Sequence, residues 1–328
     1  MSNKILTIGE TLLRINIEGY YSGNNTLRFF IGGDALNVAA FLGYNDYDVS
    51  YLTFLDKKHI NYKRIEEHFN IHSIKTNYVF DFAGRMGLYY YLPKLAIKPA
   101  RIEYDRSNTA FSQSKLSMPL IASIIKEEFE WIHTSATTMG ANEKMRKHLI
   151  ELYREAYDKK ITTSLDVSYF EDLWLNYDEY KNTIDQILEH TKIIIGWFDK
   201  DGFKEQKAYI SMEEFKKRIR HIVDKYENIK TIVCPLKYIK NGKTYLKTYS
   251  YINSVYQESD PIECLEAHFV GVQDAYVGML INRIIKGKSL KDAVDYANKI
   301  YAIKNLYHGD CADIKEEEIE EVYFKKVT

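Results

Sequence analysis

The feature that most constrains the fold of this chain is a regular alternation of short apolar runs with longer amphipathic segments. Strands are predicted at about 4–10, 48–55, 130–134, 160–166, 192–196 and 230–234, and helices at about 57–69, 117–128, 142–158, 176–190, 212–226, 274–286 and 289–305. Strands that alternate with helices form mostly parallel sheets with helices on both faces. The pattern therefore predicts a mostly parallel sheet with helices on both faces, and 328 residues are enough for one large α/β domain or two ordinary ones. Ligands are expected to bind beyond the carboxyl ends of the strands.

Two segments, at about 11–31 and 74–106, are predicted to hold strands without helices. In the first segment, Leu13 and Ile15 alternate with Arg14 and Asn16, and the pattern breaks at Gly23. That alternation is typical of a hairpin with one wet face. We expect both segments to form a small β-sheet lid over one end of the domain. A further hairpin is predicted at about 237–250, with Asn241-Gly242 as its turn.

The composition excludes several classes of partner. The formal net charge is −1, so no long-range field attracts nucleic acid or an anionic membrane. No apolar run approaches the ~20 residues needed to span a bilayer. Cys234, Cys264 and Cys311 are far apart and form no C-x-x-C pair, which indicates a reducing, cytoplasmic environment and argues against structural zinc. No metal ligand is assigned, and the acidic run from Glu316 to Glu318 is interpreted as a solvated helix face.

A candidate anion site lies at Gly271-Val272-Gln273-Asp274, where an apolar helix is predicted to begin. The free N–H groups and the positive dipole end of such a helix favour a phosphate group. A carboxylate at that position could accept a proton from an attacking hydroxyl group. The alternative is that Asp274 only caps or charges the first helical turn.

A second candidate site is the strand-to-helix turn Gly32-Gly33-Asp34, which is followed by Asn37. Two glycines allow the backbone to approach a ligand closely, and the Asp34 and Asn37 side chains could hydrogen-bond sugar hydroxyl groups. The alternative is a tight turn with an aspartate as the helix N-cap.

Three polar residues of the second strand-only segment suit an anion that carries hydroxyl groups. Tyr89 and Tyr104 offer hydroxyl groups, and Arg106 could bind the carboxylate of a sugar acid bidentately. The alternative is a set of surface strand tyrosines beside a solvated arginine. His133, at the end of a buried strand, is interpreted as structural. The chain has no P-loop and no G-x-G-x-x-G fingerprint after its first strand, so dinucleotide chemistry is unsupported.

Taken together, these motifs resemble the ribokinase-like (PfkB) family of carbohydrate kinases, and especially its 2-keto-3-deoxygluconate kinases. The resemblance covers nearly the whole chain. Its segments are Gly32 to Ala39, Gly84 to Tyr89, Tyr104 to Ser112, Asp166 to Trp174 and Gly271 to Gly278.

The resemblance implies a fold, a reaction and roles for residues. The fold would be a single ribokinase-like three-layer α/β/α domain over residues 1–328, whose β-lid pairs two subunits in a homodimer. The reaction would be transfer of the ATP γ-phosphate to a sugar-acid hydroxyl group in the presence of Mg2+. Asp274 would be the base, with Gly271, Val272 and Gln273 as the anion hole, Gly32, Gly33, Asn37, Tyr89, Tyr104 and Arg106 as sugar ligands, and Asn298 beside the adenine.

Some positions depart from the family pattern. Gln273 replaces a glycine of the anion hole, where a requirement for positive φ would strain a glutamine by ~1–2 kcal/mol. Phe170 stands where the family has an arginine, and the N-x-x-E motif is not recognisable at 196–200. Three hypotheses follow: an active sugar-acid kinase, a homologue that binds a sugar without efficient phosphoryl transfer, and a protein whose tyrosine-rich lid serves assembly.

Overall fold

A computed structural model describes residues 4–18, 26–93, 100–198, 209–265, 270–320 and 322. The Gly23 break and residues 199–200 of the expected N-x-x-E region lie outside these described residues.

The described residues form strands and helices in nearly regular succession. The strands are β1 (Lys4–Ile8), β2 (Leu12–Glu18), β3 (Thr26–Gly32), β4 (Asp48–Leu55), β5 (Val79–Asp81), β6 (Gly87–Leu92), β7 (Arg101–Asp105), β8 (Trp131–Ser135), β9 (Thr162–Asp166), β10 (Ile193–Ile195), β11 (Thr231–Lys240), β12 (Lys243–Ile252), β13 (Val255–Glu258) and β14 (Ile262–Cys264). The α-helices are α1 (Asp34–Tyr44), α2 (Tyr62–Ile71), α3 (Ala110–Gln113), α4 (Met118–Lys126), α5 (Ala136–Ala141), α6 (Glu143–Asp158), α7 (Tyr177–Leu188), α8 (Met212–Lys225), α9 (Val272–Ile285), α10 (Leu290–Lys304) and α11 (Glu316–Glu320).

The main sheet has ten strands in the order β13-β12-β11-β10-β9-β8-β1-β4-β5, with β14 paired to β12 beside this path. Every neighbouring pair from β11 to β5 is parallel, and β12 begins an antiparallel edge. The predicted α/β fold class is therefore confirmed. The turn between β11 and β12 is Asn241-Gly242, both with positive φ (53° and 73°), as a two-residue hairpin requires.

A second sheet has the order β3-β2-β6-β7. The 74–106 segment contributes β6 and β7 to this sheet. Its first strand, β5, does not join the second sheet as predicted. β5 instead extends the edge of the main sheet, where Val79 pairs in parallel with Thr53 of β4. The cause is burial, since Val79 is only 4% exposed against that edge.

Two apolar cores lie on opposite faces of the main sheet. One contains side chains of α1, α9 and α10, and the other contains side chains of α4, α6, α7 and α8. Neighbouring residues of β1 alternate between them, with Ile5 in the first core and Leu6 in the second. Among the described helices, none combines the length and the hydropathy needed to cross a bilayer.

Local sequence signals explain where many helices begin. Each of five helices follows a serine or asparagine whose side-chain oxygen accepts the N–H of the third helical residue: Ser117, Asn142, Asn176, Ser211 and Ser289. The acidic run near the end of the chain behaves differently from the prediction. Glu316 is buried and forms ion pairs with Arg283 and Lys286, so only part of that run faces solvent.

Candidate active site

A cleft lies between the four-stranded sheet and the carboxyl ends of the parallel strands, at the start of α9. It is lined by Leu12, Gly33, Asp34, Asn37, Tyr89, Ile102, Tyr104, Arg106, Thr137, Asp166, Ser168, Phe170, Val270, Gly271, Gln273 and Asp274. The cleft thus brings together eight of the residues predicted to form the site. Gly32, Val272 and Asn298 are not among the residues that line it.

The turn before α9 depends on one glycine. Gly271 is the N-cap of α9 with φ 74°, and a Cβ atom built on it would lie 1.9 Å from the Asp310 carbonyl oxygen. Val272 and Gln273 are ordinary first-turn residues of α9, and neither has positive φ. The prediction of backbone strain at Gln273 is therefore wrong, because the left-handed position of this turn is Gly271.

Gly278 of the same motif has a packing role, since a Cβ there would lie 2.6 Å from the Phe41 ring.

Asp274 is the third residue of α9 and is not its cap. Its carboxyl oxygen Oδ2 accepts a 2.7 Å hydrogen bond from the Asn37 amide on α1. Burial raises the pKa of Asp274 well above its ordinary value, and the nearby charges of Asp34 and Asp166 raise it further. A carboxyl group with a raised pKa at a helix N-terminus has the properties of a general base that faces a reacting hydroxyl group.

Two more carboxyl groups lie beside Asp274. The Ser135 hydroxyl group donates a hydrogen bond to Asp34. At the end of β9, Asp166 accepts hydrogen bonds from the backbone N–H (2.8 Å) and the hydroxyl group of Ser168. Burial raises the pKa of Asp166 to about 6, although the Ser168 hydrogen bonds act in the opposite direction.

The Gln273 amide faces Asp166. Its Nε2 atom is buried without a hydrogen-bond partner among the described residues, yet it lies near enough to Asp166 to lower the pKa of that carboxyl group. The cleft therefore holds an amide donor directed toward Asp166, beside the other carboxyl groups.

Arg106 enters the cleft from the segment after β7. Its Nε donates a 2.8 Å hydrogen bond to Glu10, whose other oxygen accepts a 2.6 Å hydrogen bond from Thr109. The guanidinium group lies 5.6 Å from the centre of the Tyr104 ring. Arg106 and Glu10 are both buried, so their ion pair fixes the guanidinium group at the cleft wall.

Tyr89 has a partner that the sequence did not suggest. Its hydroxyl group donates to Asp310, which also pairs with Arg14 of β2 at 3.2 Å. Both Arg14 and Asp310 are buried, and Gly32 packs directly on Asp310. This group joins three strands of the second sheet to the segment after α10, so Gly32 and Tyr89 have structural contacts whatever ligand they bind.

Lys304, the last residue of α10, is fully buried behind the anion turn. Its Nζ donates to the backbone carbonyl groups of Val270 (3.0 Å), Gly309 (2.8 Å) and Tyr307 (3.4 Å). Burial lowers the pKa of Lys304 to about 8, which leaves the amine mostly charged at pH 7. An ammonium group thus holds the backbone on both sides of the Gly271–Asp310 contact.

Two other predicted residues lie outside the cleft wall. Asn298 is buried between Thr248 (2.7 Å) and Ser259 (2.9 Å), and its role in nucleotide binding stays a prediction. His133 is buried in β8 and contacts the Ser164 hydroxyl group at 2.8 Å, which agrees with a structural role.

Sequence reasoning missed Glu10, Asp310 and Lys304. One signal for Lys304 was available, because it follows Ile300 by four residues on the buried face of α10. Asp310 lies in a segment without periodicity, where no local pattern distinguishes a buried carboxyl group from a solvated one.

Comparisons with known proteins find similar chains, although no protein-family model matches the sequence. A 2-dehydro-3-deoxygalactonokinase from Haloferax volcanii is 23% identical over 98% of this chain and 97% of its own length. A PfkB family carbohydrate kinase from Listeria grayi superposes with a TM-score of 0.85 at 24% identity, over 97% of this chain and 98% of that one.

Two further solved structures extend the comparison. A 2-dehydro-3-deoxygluconokinase from Thermotoga maritima gives a TM-score of 0.86 at 23% identity, over 97% and 98% of the two chains. A fructokinase from Xylella fastidiosa with bound ATP gives 0.74 at 12% identity, over 98% of both. The chain therefore has the ribokinase-like fold, and its resemblance to the PfkB carbohydrate kinases is confirmed along nearly its whole length.

Proposed function

We propose that this protein is an ATP-dependent kinase that phosphorylates a hydroxyl group of a sugar acid of the 2-keto-3-deoxygluconate type. The observation that carries the proposal is the position of Asp274. It lies at the N-terminus of α9, hydrogen-bonded to Asn37, in the same cleft as Arg106 and Tyr104. The names of the similar kinases from Haloferax volcanii and Thermotoga maritima support this substrate class.

In the proposed mechanism, the sugar hydroxyl group lies against Asp274, which accepts its proton as the oxygen attacks the γ-phosphorus. The transferring phosphoryl group lies at the N-terminus of α9, where the backbone N–H groups from Gly271 to Gln273 stabilise its charge. Asn37 orients the Asp274 carboxyl group. Positioning and charge stabilisation of this kind account for most of the catalysis of phosphoryl transfer.

The oxygen ligands in the cleft suit Mg2+. Hard divalent cations prefer carboxylates together with substrate phosphates, and Asp34 and Asp166 supply carboxyl groups beside Asp274. These two side chains would hold the ion together with the ATP phosphates. The ion would neutralise phosphate charge during transfer.

The acid preference is assigned to Arg106. With its Nε engaged by Glu10, the terminal nitrogens of the guanidinium group can face a carboxylate in the cleft. The hydroxyl groups of the sugar would contact Asn37 and Tyr104. Because Tyr89 already binds Asp310, we assign it to the cleft wall and to a weaker role in binding the sugar.

We also propose a homodimer formed through the second sheet. Ile15 pairs with Phe29 in β3 and with Tyr90 in β6, and Ile17 pairs with Leu27, so these side chains share one face. Leu27 is 52% exposed and Phe29 44%, an unusual exposure for neighbouring apolar residues. Tyr89 and Tyr104 lie on the opposite face, toward the cleft.

We also propose a cytoplasmic location. The buried thiols of Cys234, Cys264 and Cys311 form no disulfide, which supports a reducing environment.

The alternative is a homologue that binds a sugar acid without efficient phosphoryl transfer. The specific observation in its favour is Phe170, which lines the cleft with 44% of its surface exposed where the family carries an arginine. A site without that cation would have less charge to stabilise the phosphoryl group.

The test is ADP formation from ATP and Mg2+ with 2-keto-3-deoxygluconate, with its galacto epimer and with neutral hexoses, using the wild type and Asp274→Asn. We expect turnover with an acid in the wild type and a loss of about 10²–10⁴-fold in the variant. Calorimetric binding of the same acids is measured in parallel. A folded wild type that binds an acid but forms no ADP with any compound supports the alternative and overturns the kinase proposal.

A further inference from the structure

A cluster of metal-ligating side chains lies behind the cleft, and the proposed reaction does not use it. His68 and His72 stand four residues apart at the end of α2, and Cys311 lies in the segment after α10. One ligand atom from each residue can be chosen so that all three lie within 4.8 Å of one another. The His68 Nε2 atom is 3.4 Å from the Cys311 Sγ atom.

A carboxylate lies beside these three side chains and contacts one of them. The Oδ1 atom of Asp313 lies 2.8 Å from the Nε2 atom of His72. We infer that His68, His72, Cys311 and Asp313 form a binding site for one Zn2+ ion. Two imidazoles, a thiolate and a carboxylate are zinc ligands, and Zn2+ takes four of them in a tetrahedron.

The three ligand atoms lie within 4.8 Å of one another, so they must move closer together to bind a tetrahedral ion. With metal–ligand distances of about 2.0–2.3 Å, neighbouring ligand atoms of a tetrahedral site are roughly 3.3–3.7 Å apart. The distance between His68 and Cys311 falls in this range, and the one between His72 and Asp313 must widen by about half an ångström. Asp313 can make that movement, since its side chain is 55% exposed.

The surroundings orient the ligands. The Nδ1 atom of His72 lies 2.8 Å from the His68 carbonyl oxygen, so donation to that oxygen leaves Nε2 free to ligate. A pocket lined by His68, His72, Cys311 and Asp313 provides access.

Binding of Zn2+ releases protons from its ligands. Zn2+ forms a bond to Cys311 Sγ, whose thiol proton passes to solvent, and a protonated His72 also releases its Nε2 proton. Neither a redox partner nor a co-reactant is needed. The site is one side chain away from the base, because Cys311 Sγ lies 3.4 Å from Asn37 Oδ1 and Asn37 binds Asp274.

The test uses the full chain after chelator treatment, with Co2+ as the spectroscopic probe and Zn2+ as the competitor. We expect the visible bands of tetrahedral Co2+ and a thiolate-to-cobalt band that saturate at one equivalent and disappear with one equivalent of Zn2+. Proton release into a weak buffer is measured in the same titration. Because neither ATP nor sugar is present, failure of this test leaves the kinase proposal unaffected.

Variants separate this site from adventitious binding. Cys311→Ser should abolish the thiolate band and weaken binding by at least the roughly 10–100-fold typical of losing an outer-shell partner. His68→Gln tests the site without altering the buried thiol. Cys264→Ser, at a buried cysteine in β14, is the matched control and should bind as the wild type does. A folded wild type without the thiolate band, or a band that persists in Cys311→Ser, overturns the inference.

Discussion

The Asn37 amide on α1 donates a 2.7 Å hydrogen bond to the Asp274 carboxyl group on α9, across 237 positions of the chain. The two helices also pack together where Phe41 covers Gly278. The contact between helices therefore sets the orientation of the proposed base, and the predictions below begin there.

Asp274 should cost the protein stability at neutral pH. A carboxyl group whose pKa is raised in the folded state stabilises that state when protonated, and this stabilisation is lost as pH rises above its unfolded value of about 4. Asp274→Asn should therefore unfold about 2–4 °C above the wild type at pH 8, with a gain that shrinks toward pH 4. Thermal unfolding at several pH values measures this. A variant that is less stable than the wild type at pH 8 would contradict it.

Gly271→Ala should disrupt the anion turn through a steric clash, and Gly287→Ala is its matched control. Both glycines have φ near 70°, but nothing lies within 4 Å of a Cβ on Gly287, whereas Asp310 lies 1.9 Å from one on Gly271. Gly287→Ala should cost about 1–2 kcal/mol from its backbone alone. Gly271→Ala should cost more and lower kcat about 10²–10³-fold. Urea unfolding and steady-state kinetics compare the two variants. Equal losses of stability and of kcat would exclude a steric clash at Gly271 as the cause.

Lys304→Met should weaken both the fold and the site. The change leaves the carbonyl groups of Val270 and Gly309 buried without their donor, at a cost of about 1–3 kcal/mol for each unsatisfied group. The backbone before Gly271 then loosens, so kcat should fall. Lys299→Met on the same helix is the control. Unchanged unfolding midpoints for Lys304→Met would show that the ammonium group does not hold this backbone.

His133 should make the wild type sensitive to acid. Burial lowers its pKa to about 4, so below pH 6.5 the unfolded state takes up a proton that the folded state refuses. Stability is lost as pH falls from about 6.5 to 4, by about 1.4 kcal/mol per pH unit for one group. His133→Gln should lose less stability over that range than the wild type. Urea unfolding at pH 6.5 and pH 4.5 checks this.

Leu27→Glu should dissociate the proposed dimer, because a charge would then lie in the apolar face of the second sheet. Leu175→Glu is the matched control, since Leu175 is 86% exposed and lies outside that sheet. Light scattering should report a dimer for the wild type and the control, and a monomer for Leu27→Glu. A monomeric wild type at micromolar concentration would contradict the dimer.

Much of the fold was predictable because its signals are local. The apolar run at 48–55 became β4, the amphipathic segment at 142–158 became α6 with Asn142 as its cap, and Asn241-Gly242 formed the predicted turn. Periodicity and turn chemistry act within a few residues. They do not say which sheet a short strand joins, so β5 was assigned to the wrong sheet.

The site was predictable where its motifs are contiguous, as at Gly271 to Asp274. The rest depends on partners that are distant in the sequence. Tyr89 meets Asp310 across 221 positions, and His68 meets Cys311 across 243. The expectation against zinc considered only cysteines close in sequence, whereas the ligand set proposed above comes from two distant segments and leaves no such spacing.

The buried ammonium group of Lys304 has a consequence for how the anion turn meets its ionic environment. The occupancy of a dissolved ion in that position would depend on the salt concentration, and ions of other sizes would compete for the place. The Lys304 amine is attached to the chain in every folded molecule, it is mostly charged at pH 7, and it lies 3.0 Å from the Val270 carbonyl oxygen. The positive charge beside the turn is thereby supplied by the chain itself and does not require a bound monovalent ion.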